Sequence, residues 1–320
     1  MKVVFAGTPQ FAVAPLQKIV ESGFEVVGVI TQADKPQGRK GILTPPPVKT
    51  YAQSMDIPVL QPTKIEEALP EILELGGDIL VTCAYGQILK QPVLDAFSKG
   101  VWNIHAGLLP AYRGASPIQS CILAGEEKTG VTIIQTELGL DSGPILLEQR
   151  TSILPEETYG ELSTRLSALG AELIVKALGV FKMGSGYALT PQGSEGVGVV
   201  RKIDKKHAQI RFDCEGKKIV DLVRAMNPAP VAFAVLDGAS VNVLSARVVE
   251  LSALSEEELC SYQNATFGEV ISDTPKRGLL VKCKGGVVRL TSVQLAGGKV
   301  MKDADLLNGR KVRKGQTFVW

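Results

Sequence analysis

Short apolar runs alternate with amphipathic stretches through the first hundred residues, and this rhythm limits the fold more than any other feature. Val3–Gly7, Glu25–Thr31, Asp78–Ala84 and Val101–His105 read as strands, while Phe11–Glu21, Glu66–Leu75 and Pro92–Ser98 read as helices. Strands that alternate with helices predict an α/β domain built on a mostly parallel, doubly wound, Rossmann-like sheet. Ligands of such sheets bind in the crevice beyond the carboxyl ends of the strands, where His105 is expected to lie. The first βα turn is Ala6-Gly7-Thr8-Pro9-Gln10. It lacks the Gly-x-Gly-x-x-Gly cradle for a pyrophosphate, so the topology is expected without a dinucleotide.

A long helical period over Thr158–Leu178, with Leu162, Leu166, Leu169, Leu173, Ile174 and Leu178 on its apolar positions, closes the first domain. The Gly-, Ser- and Pro-rich stretch Met183–Gly198 reads as a linker. Beyond it come short β-rich runs at Gln209–Phe212, Ala232–Leu236, Val241–Val249, Phe267–Ser272, Gly278–Lys282 and Val287–Val293, with one helix at Gly216–Ala225. That is the pattern of a small barrel or sandwich. The expected division is a catalytic domain over 1–185, a linker over 186–204 and a β-barrel domain over 205–320.

At 320 residues the chain has room for two cores, and 45% hydrophobic with 21% charged residues is an ordinary globular balance. No apolar run reaches the ~18 residues of a membrane span. Met1 leads straight into a strand, so no cleavable signal is visible. Five scattered cysteines, without a Cys-x-x-Cys pair, fit reduced thiols of a cytoplasmic protein better than disulfides or a metal site. Charge is divided unevenly. Residues 1–200 carry 15 Lys and Arg against 20 Asp and Glu, whereas 201–320 carry 20 against 13. A basic second half points to a polyanionic partner, although lysine-rich solvated faces also arise for solubility alone.

The chemistry is concentrated in three blocks. If Val101–His105 is extended, Asn103 and His105 project from the same face, because strand side chains alternate. An amide donor beside an imidazole can stabilise an oxyanion and manage a proton, as acyl transfer requires. The pair could equally satisfy turn backbone groups. Gly107-Leu108-Leu109-Pro110-Ala111-Tyr112-Arg113-Gly114 follows, an apolar wall with a rigid proline and a glycine stop, and then a helix start at Ser116-Pro117. After the β-branched strand Gly130–Gln135, the segment Leu138-Gly139-Leu140-Asp141-Ser142-Gly143 holds an acid in a turn. By itself Asp141 could be no more than a turn-stabilising residue. None of the cysteines has a histidine close in sequence, so a covalent nucleophile is not expected and transfer would be direct.

The set Asn-x-His, Leu-Leu-Pro-x-x-Arg-Gly and Gly-Leu-Asp-x-Gly resembles the catalytic signature of the folate-dependent formyltransferases, in particular those acting on methionyl-tRNA. The Gly7-Thr8-Pro9-x-Phe11 turn, Val223–Pro230 and Leu306–Arg310 extend the likeness to nearly the whole chain. It implies a Rossmann-like catalytic domain followed by an OB-like barrel, 10-formyltetrahydrofolate as formyl donor, and methionyl-initiator tRNA as acceptor. Asn103, His105 and Asp141 then carry the catalytic roles, and Gly107, Leu108, Leu109 and Pro110 line the folate pocket. Relatives often have Ser where this chain has Gly107, and an aromatic residue where it has Ala229.

Thr31–Pro47 is long for a βα connection, where roughly 2–6 residues is usual. It carries Lys35, Arg39 and Lys40 beside Gly38 and Gly41, a composition that also suits a solvated surface loop. It resembles the family insertion that recognises the unpaired end of the initiator acceptor stem, with Arg39 at the key position. The implied tRNA contacts are Lys35, Gly38, Arg39, Lys40 and Gly41, made by a flexible basic finger, and no metal is implied. The rivals are a glycinamide ribonucleotide formyltransferase, a nucleotide-sugar N-formyltransferase, and a non-catalytic tRNA- or folate-binding protein. The first has no need of a basic C-terminal half, the second should lack the finger, and the third has no use for the three polar residues together. The absence of an evident apolar patch or heptad suggests a monomer.

Overall fold

The computed structural model describes residues 1–38, 41–183 and 187–320. In chain order the elements begin with β1 (Lys2–Gly7), α1 (Val13–Glu21), β2 (Glu25–Ile30), β3 (Lys35–Gln37), β4 (Ile42–Thr44) and α2 (Pro47–Ser54). Next come β5 (Val59–Leu60), α3 (Leu69–Glu74), β6 (Ile79–Cys83), α4 (Gln91–Leu94), β7 (Val101–His105) and β8 (Arg113–Gly114). They continue with α5 (Pro117–Leu123), β9 (Lys128–Gln135), β10 (Ile145–Ser152), α6 (Tyr159–Met183) and β11 (Val199–Val200). The remainder is α7 (Gly216–Ala225), β12 (Ala232–Leu236), β13 (Ala239–Val249), α8 (Glu256–Asn264), β14 (Val270–Ser272), β15 (Leu280–Cys283), β16 (Gly286–Leu295), β17 (Val300–Lys302), α9 (Asp303–Asn308) and β18 (Phe318–Val319).

The chain packs as two units that are not simply consecutive. Residues 1–117, 128–152 and 162–201 form the first, and 118–127, 153–161 and 202–320 the second. This differs from the expected division at 1–185, 186–204 and 205–320. Most of the stretch read as a linker belongs to the first unit, because its backbone is used: β11 pairs in parallel with β8, and Thr190 exchanges two hydrogen bonds with Ile145.

A seven-stranded sheet in the order β10-β9-β7-β6-β1-β2-β5 organises the first unit. The five strands β7, β6, β1, β2 and β5 run parallel, and the β9–β10 hairpin adds an antiparallel edge. The chain steps outward from β1 to β5 and then returns to β6 on the other side of β1, which creates the switch point of a doubly wound sheet. Every residue of β6 is buried, as befits a central parallel strand covered on both faces.

Gly7 explains the first turn. A Cβ there would lie 2.7 Å from the Phe5 ring, 2.8 Å from Ala12 Cβ and 2.9 Å from Cys83 O. Close packing of strand, turn and neighbouring strand therefore accounts for this glycine. The expected helix over 66–75 is divided into a 3-10 turn at Ile65–Ala68 and α3, because Pro70 sits in the first turn of a restarted helix. The expected helix over 92–98 shortens to α4.

The second unit is a curled antiparallel sheet in the order β14-β15-β16-β13-β12-β18, with β17 against β16. Register shifts in β13 on either side of Ser245 increase its twist and bend it. The edges meet: Val270 N donates to Gln316 O at 2.8 Å and Phe318 N to Gly268 O at 2.9 Å. The OB-like barrel expected from the resemblance is therefore closed by backbone hydrogen bonds. Phe212, Phe318, Val243, Val288 and Leu290 fill it, with α7 contributing Ile219 and Val223. The run 209–212 is not a strand; it gives one parallel bridge to Phe233 and buries Ile210 and Phe212 in this core. Ala229 is exposed, so the missing aromatic leaves no hole.

Candidate active site

β7 delivers its last residues to the carboxyl edge of the first sheet. Asn103 lies opposite Thr82 of β6 and Ile134 of β9, and His105 lies opposite Thr132. The strand alternation expected from the sequence holds, and both side chains reach one carboxylate. Asn103 Nδ2 donates to Asp141 Oδ1 at 3.4 Å, and His105 Nδ1 lies 3.6 Å from Asp141 Oδ2. The three residues are thus brought together although 36 positions separate 105 from 141.

Their neighbours fix the orientations. Thr82 Oγ1 donates to Asn103 Oδ1 at 3.0 Å, which leaves the amide NH2 of Asn103 turned toward Asp141. His105 Nε2 is 3.0 Å from the carbonyl oxygen of Tyr112. A carbonyl only accepts, so Nε2 carries the proton and Nδ1 is the basic nitrogen that faces Asp141. The ring is 4% exposed. Burial pushes the His105 pKa below the ordinary histidine value, while the Asp141 charge and the Tyr112 carbonyl pull it upward. The burial contribution prevails, so the ring is neutral near pH 7.

Asp141 sits at a positive φ of 48°, a conformation Asp tolerates better than most residues. Its turn is held from several sides. Gly114 N donates to Asp141 Oδ2 at 2.8 Å, and Gln192 Nε2 donates to the carbonyl oxygens of Asp141 at 2.8 Å and Gly143 at 2.7 Å. Gly143 is obligatory, because any Cβ there would collide with Gln135 O. Arg113 does not point to a free anion site: its Nε and Nη2 both donate to Gln192 Oε1, at 3.0 and 2.6 Å.

The segment 107–110 begins beside the imidazole. Thr132 Oγ1 donates to Gly107 O at 2.7 Å and accepts from Leu109 N at 3.5 Å, so a buried threonine of β9 shapes this turn. A Cβ at Gly107 would be 3.2 Å from His105 Nε2 and from Pro117 Cβ, a tight fit that the absent side chain relieves. A separate cavity of about 460 Å³ is lined by Gln91, Leu94, Asp95, Val101 and residues 135–139. Val101 begins β7 and His105 ends it, about 13 Å apart at strand rise. The cavity and the polar cluster are therefore distinct places joined by loop 136–141. Nothing in the sequence pattern had pointed to the cavity.

Thr82, Thr132 and Gln192 were not recognised from the sequence. Each acts across the chain and lies in no motif of its own. Among the described residues no three His, Cys, Asp or Glu side chains are grouped to hold a metal ion. All five cysteines are free thiols.

The described residues on either side of 39–40 form a hairpin. β3 and β4 form an antiparallel hairpin whose turn bond joins Gly41 N to Gly38 O at 3.2 Å. Its base is pinned by Lys49, which donates to both Asp34 carboxylate oxygens at 2.9 Å and to Gln61 Oε1 at 2.7 Å. Lys35 Nζ donates to Gln32 Oε1 at 2.6 Å. Gly38 and Gly41 have positive φ and open space around them. Arg39 and Lys40 lie outside the described residues.

The formyl transferase family model matches residues 1–178, and the formyl transferase C-terminal domain model matches 202–311. A methionyl-tRNA formyltransferase of Xanthomonas campestris pv. campestris is 42% identical over 313 residues, covering 97% of this chain and 98% of the relative. The chain belongs to the methionyl-tRNA formyltransferase family. A second member, from Roseobacter denitrificans, is 39% identical over 320 residues, covering 99% of each chain. Among solved structures, an N-formyltransferase from Helicobacter canadensis, in complex with folinic acid and dTDP-3-aminofucose, superposes with a TM-score of 0.65 at 18% identity, covering 94% of this chain and all of that one. HypX from Aquifex aeolicus, in complex with tetrahydrofolic acid, gives 0.64 at 16%, covering all of this chain and 51% of that one. At such identities these two share the family fold and carry no argument about the acceptor.

Proposed function

We propose that this chain transfers the formyl group of 10-formyltetrahydrofolate to the α-amino group of methionyl-initiator tRNA, as translation initiation requires. The observation that carries this reading is the convergence of Asn103 and His105 on Asp141, in a chain that matches methionyl-tRNA formyltransferases over their full length. The amine attacks the formyl carbon directly, and the C=O electron pair moves onto oxygen. Asn103 Nδ2 meets that oxygen; its 3.4 Å bond to Asp141 is long and easily given up. Such a donor lowers the barrier by about 3 kcal/mol.

The proton released by the attacking nitrogen passes to His105 Nδ1. The imidazolium so formed is matched on both sides, with Nδ1–H toward Asp141 and Nε2–H toward Tyr112 O. It then returns the proton to the folate N10 as the C–N bond breaks, giving the formamide and tetrahydrofolate. No side chain becomes covalently attached.

Residues 107–110 line the formyl side of the donor. The β3–β4 hairpin contacts the acceptor end through Lys35, Gly38, Arg39, Lys40 and Gly41, supported by the pinned base and the basic composition. The C-terminal barrel, with 20 Lys and Arg against 13 Asp and Glu over 201–320, binds the tRNA backbone. The enzyme works as a monomer in the cytoplasm, where initiator tRNA is charged; no helix among the described residues is long and apolar enough to cross a membrane. A nucleotide-sugar acceptor is less well supported, since the relatives near 40% identity are methionyl-tRNA enzymes.

Formyl transfer from 10-formyltetrahydrofolate, offered methionyl-initiator tRNA, a nucleotide amino sugar and glycinamide ribonucleotide in parallel, tests the reading. Preference for the tRNA is expected. Preference for either small acceptor would overturn it.

A further inference from the structure

Gln192 lies between exposed Pro191 and Gly193 on a surface segment, yet its amide is fully engaged. Both Nε2 hydrogens go to backbone carbonyls on either side of Ser142, those of Asp141 and Gly143. Oε1 accepts twice from Arg113. We propose that Gln192 is a positioning residue for formyl transfer, clamping the turn that holds the Asp141 carboxylate against His105. This rests on the reading above that Asp141 works with His105.

The geometry favours a clamp over incidental packing. The two carbonyls bracket Ser142, and one of them belongs to the acid itself. Arg113 precedes Gly114, whose N–H donates to Asp141 Oδ2. One side chain therefore ties the backbone of the acid to the segment that binds its carboxylate. The segment carrying Gln192 is anchored at both ends, by Thr190 on Ile145 at 2.8 and 2.9 Å and by β11 on β8. A clamp needs such a fixed frame. Only an amide side chain supplies two donors and an acceptor in this arrangement without charge. Glu keeps the acceptor for Arg113 and loses both donors.

The test uses the full chain with Gln192→Ala and Gln192→Glu. Both should lower kcat about 10- to 100-fold, the scale of a misplacement of about an ångström, with KM for folate and tRNA within about 2-fold. In an Asp141→Ala background, Gln192→Ala should cost less than about 2-fold more, because it acts through the missing group. Amide exchange at Gly114 should accelerate in both single variants. Near-parental kcat in Gln192→Glu, losses that multiply in the double variant, or unchanged Gly114 exchange would overturn the clamp. A parent without formyl transfer would defeat the proposed function instead, and Gly114 exchange would still decide the clamp.

Discussion

Thr82 gives its hydroxyl proton to Asn103 Oδ1 at 3.0 Å, and this single bond decides which end of the Asn103 amide faces the site. With its oxygen occupied, Asn103 presents Nδ2 to Asp141 and to any developing oxyanion. Thr82→Val keeps the shape of the side chain and removes the donor. The amide is then free to flip, so kcat should fall about 10-fold, and stability by about 1 kcal/mol for the lost hydrogen bond. Single-turnover kinetics and urea denaturation of the same variant measure both. Unchanged kcat would mean that the amide is oriented by something other than Thr82.

Asn103, His105 and Asp141 form one constellation, so their substitutions should not add. Asn103→Ala is expected to reduce kcat about 10²- to 10³-fold, as for other oxyanion donors. His105→Ala and Asp141→Ala should be severe as well, and a double variant should be little worse than its worse single. Circular dichroism should show the fold intact. Near-normal turnover of His105→Ala would dispose of the proton-transfer scheme.

The acid side of the pH profile follows from the buried imidazole. Its folded pKa is held below the unperturbed value of about 6.5 by burial. With neutral His105 as the proposed base, kcat should be flat near pH 7 and fall only as pH drops below about 6.5. The stability sign is the same. A histidine buried neutral contributes stability that is present above the unfolded pKa and is lost as pH falls toward the folded one. Asp141→Asn removes the charge that pulls the pKa up, so its residual activity should have an acid limb at still lower pH. A parental acid limb above pH 7 would contradict the burial argument.

What the sequence revealed and what it withheld divide by range. β7 and α7 were read with their observed bounds because apolar spacing is a local signal. Asn103 and His105 could be placed on one face by alternation alone, whereas their meeting with Asp141 came from the resemblance. Thr82, Thr132 and Gln192 are polar residues in runs that otherwise signal a strand or a linker, and their partners lie 21, 25 and 51 positions away. No local pattern encodes such contacts. The segment 183–198 read as a linker for the same reason: Gly, Ser and Pro report missing regular structure, and say nothing of the bonds its backbone makes to β8 and Ile145.

The hairpin β3–β4 gives a way to separate tRNA recognition from chemistry. Lys49 joins both oxygens of Asp34 to Gln61, Gln61 Nε2 donates to Asp34 Oδ1 at 2.8 Å, and the bonds to Asp34 from Gln61 first and Lys49 second hold its carboxyl below the ordinary range. Lys49→Met removes the cation and keeps the aliphatic stem, which should release the hairpin base without disturbing β7 or loop 136–141. KM for methionyl-initiator tRNA should rise several-fold, with folate affinity unchanged. Arg39→Ala should reduce formylation of the same tRNA more strongly, since its guanidinium can read base edges as well as phosphate. Lys40→Ala should act more weakly, and its effect should shrink at high salt if it meets phosphate only. Paired tRNA kinetics and folate titrations on the three variants decide the matter. Equal loss of folate binding and tRNA use would mark a structural defect, and three variants with parental tRNA kinetics would remove the hairpin from recognition altogether.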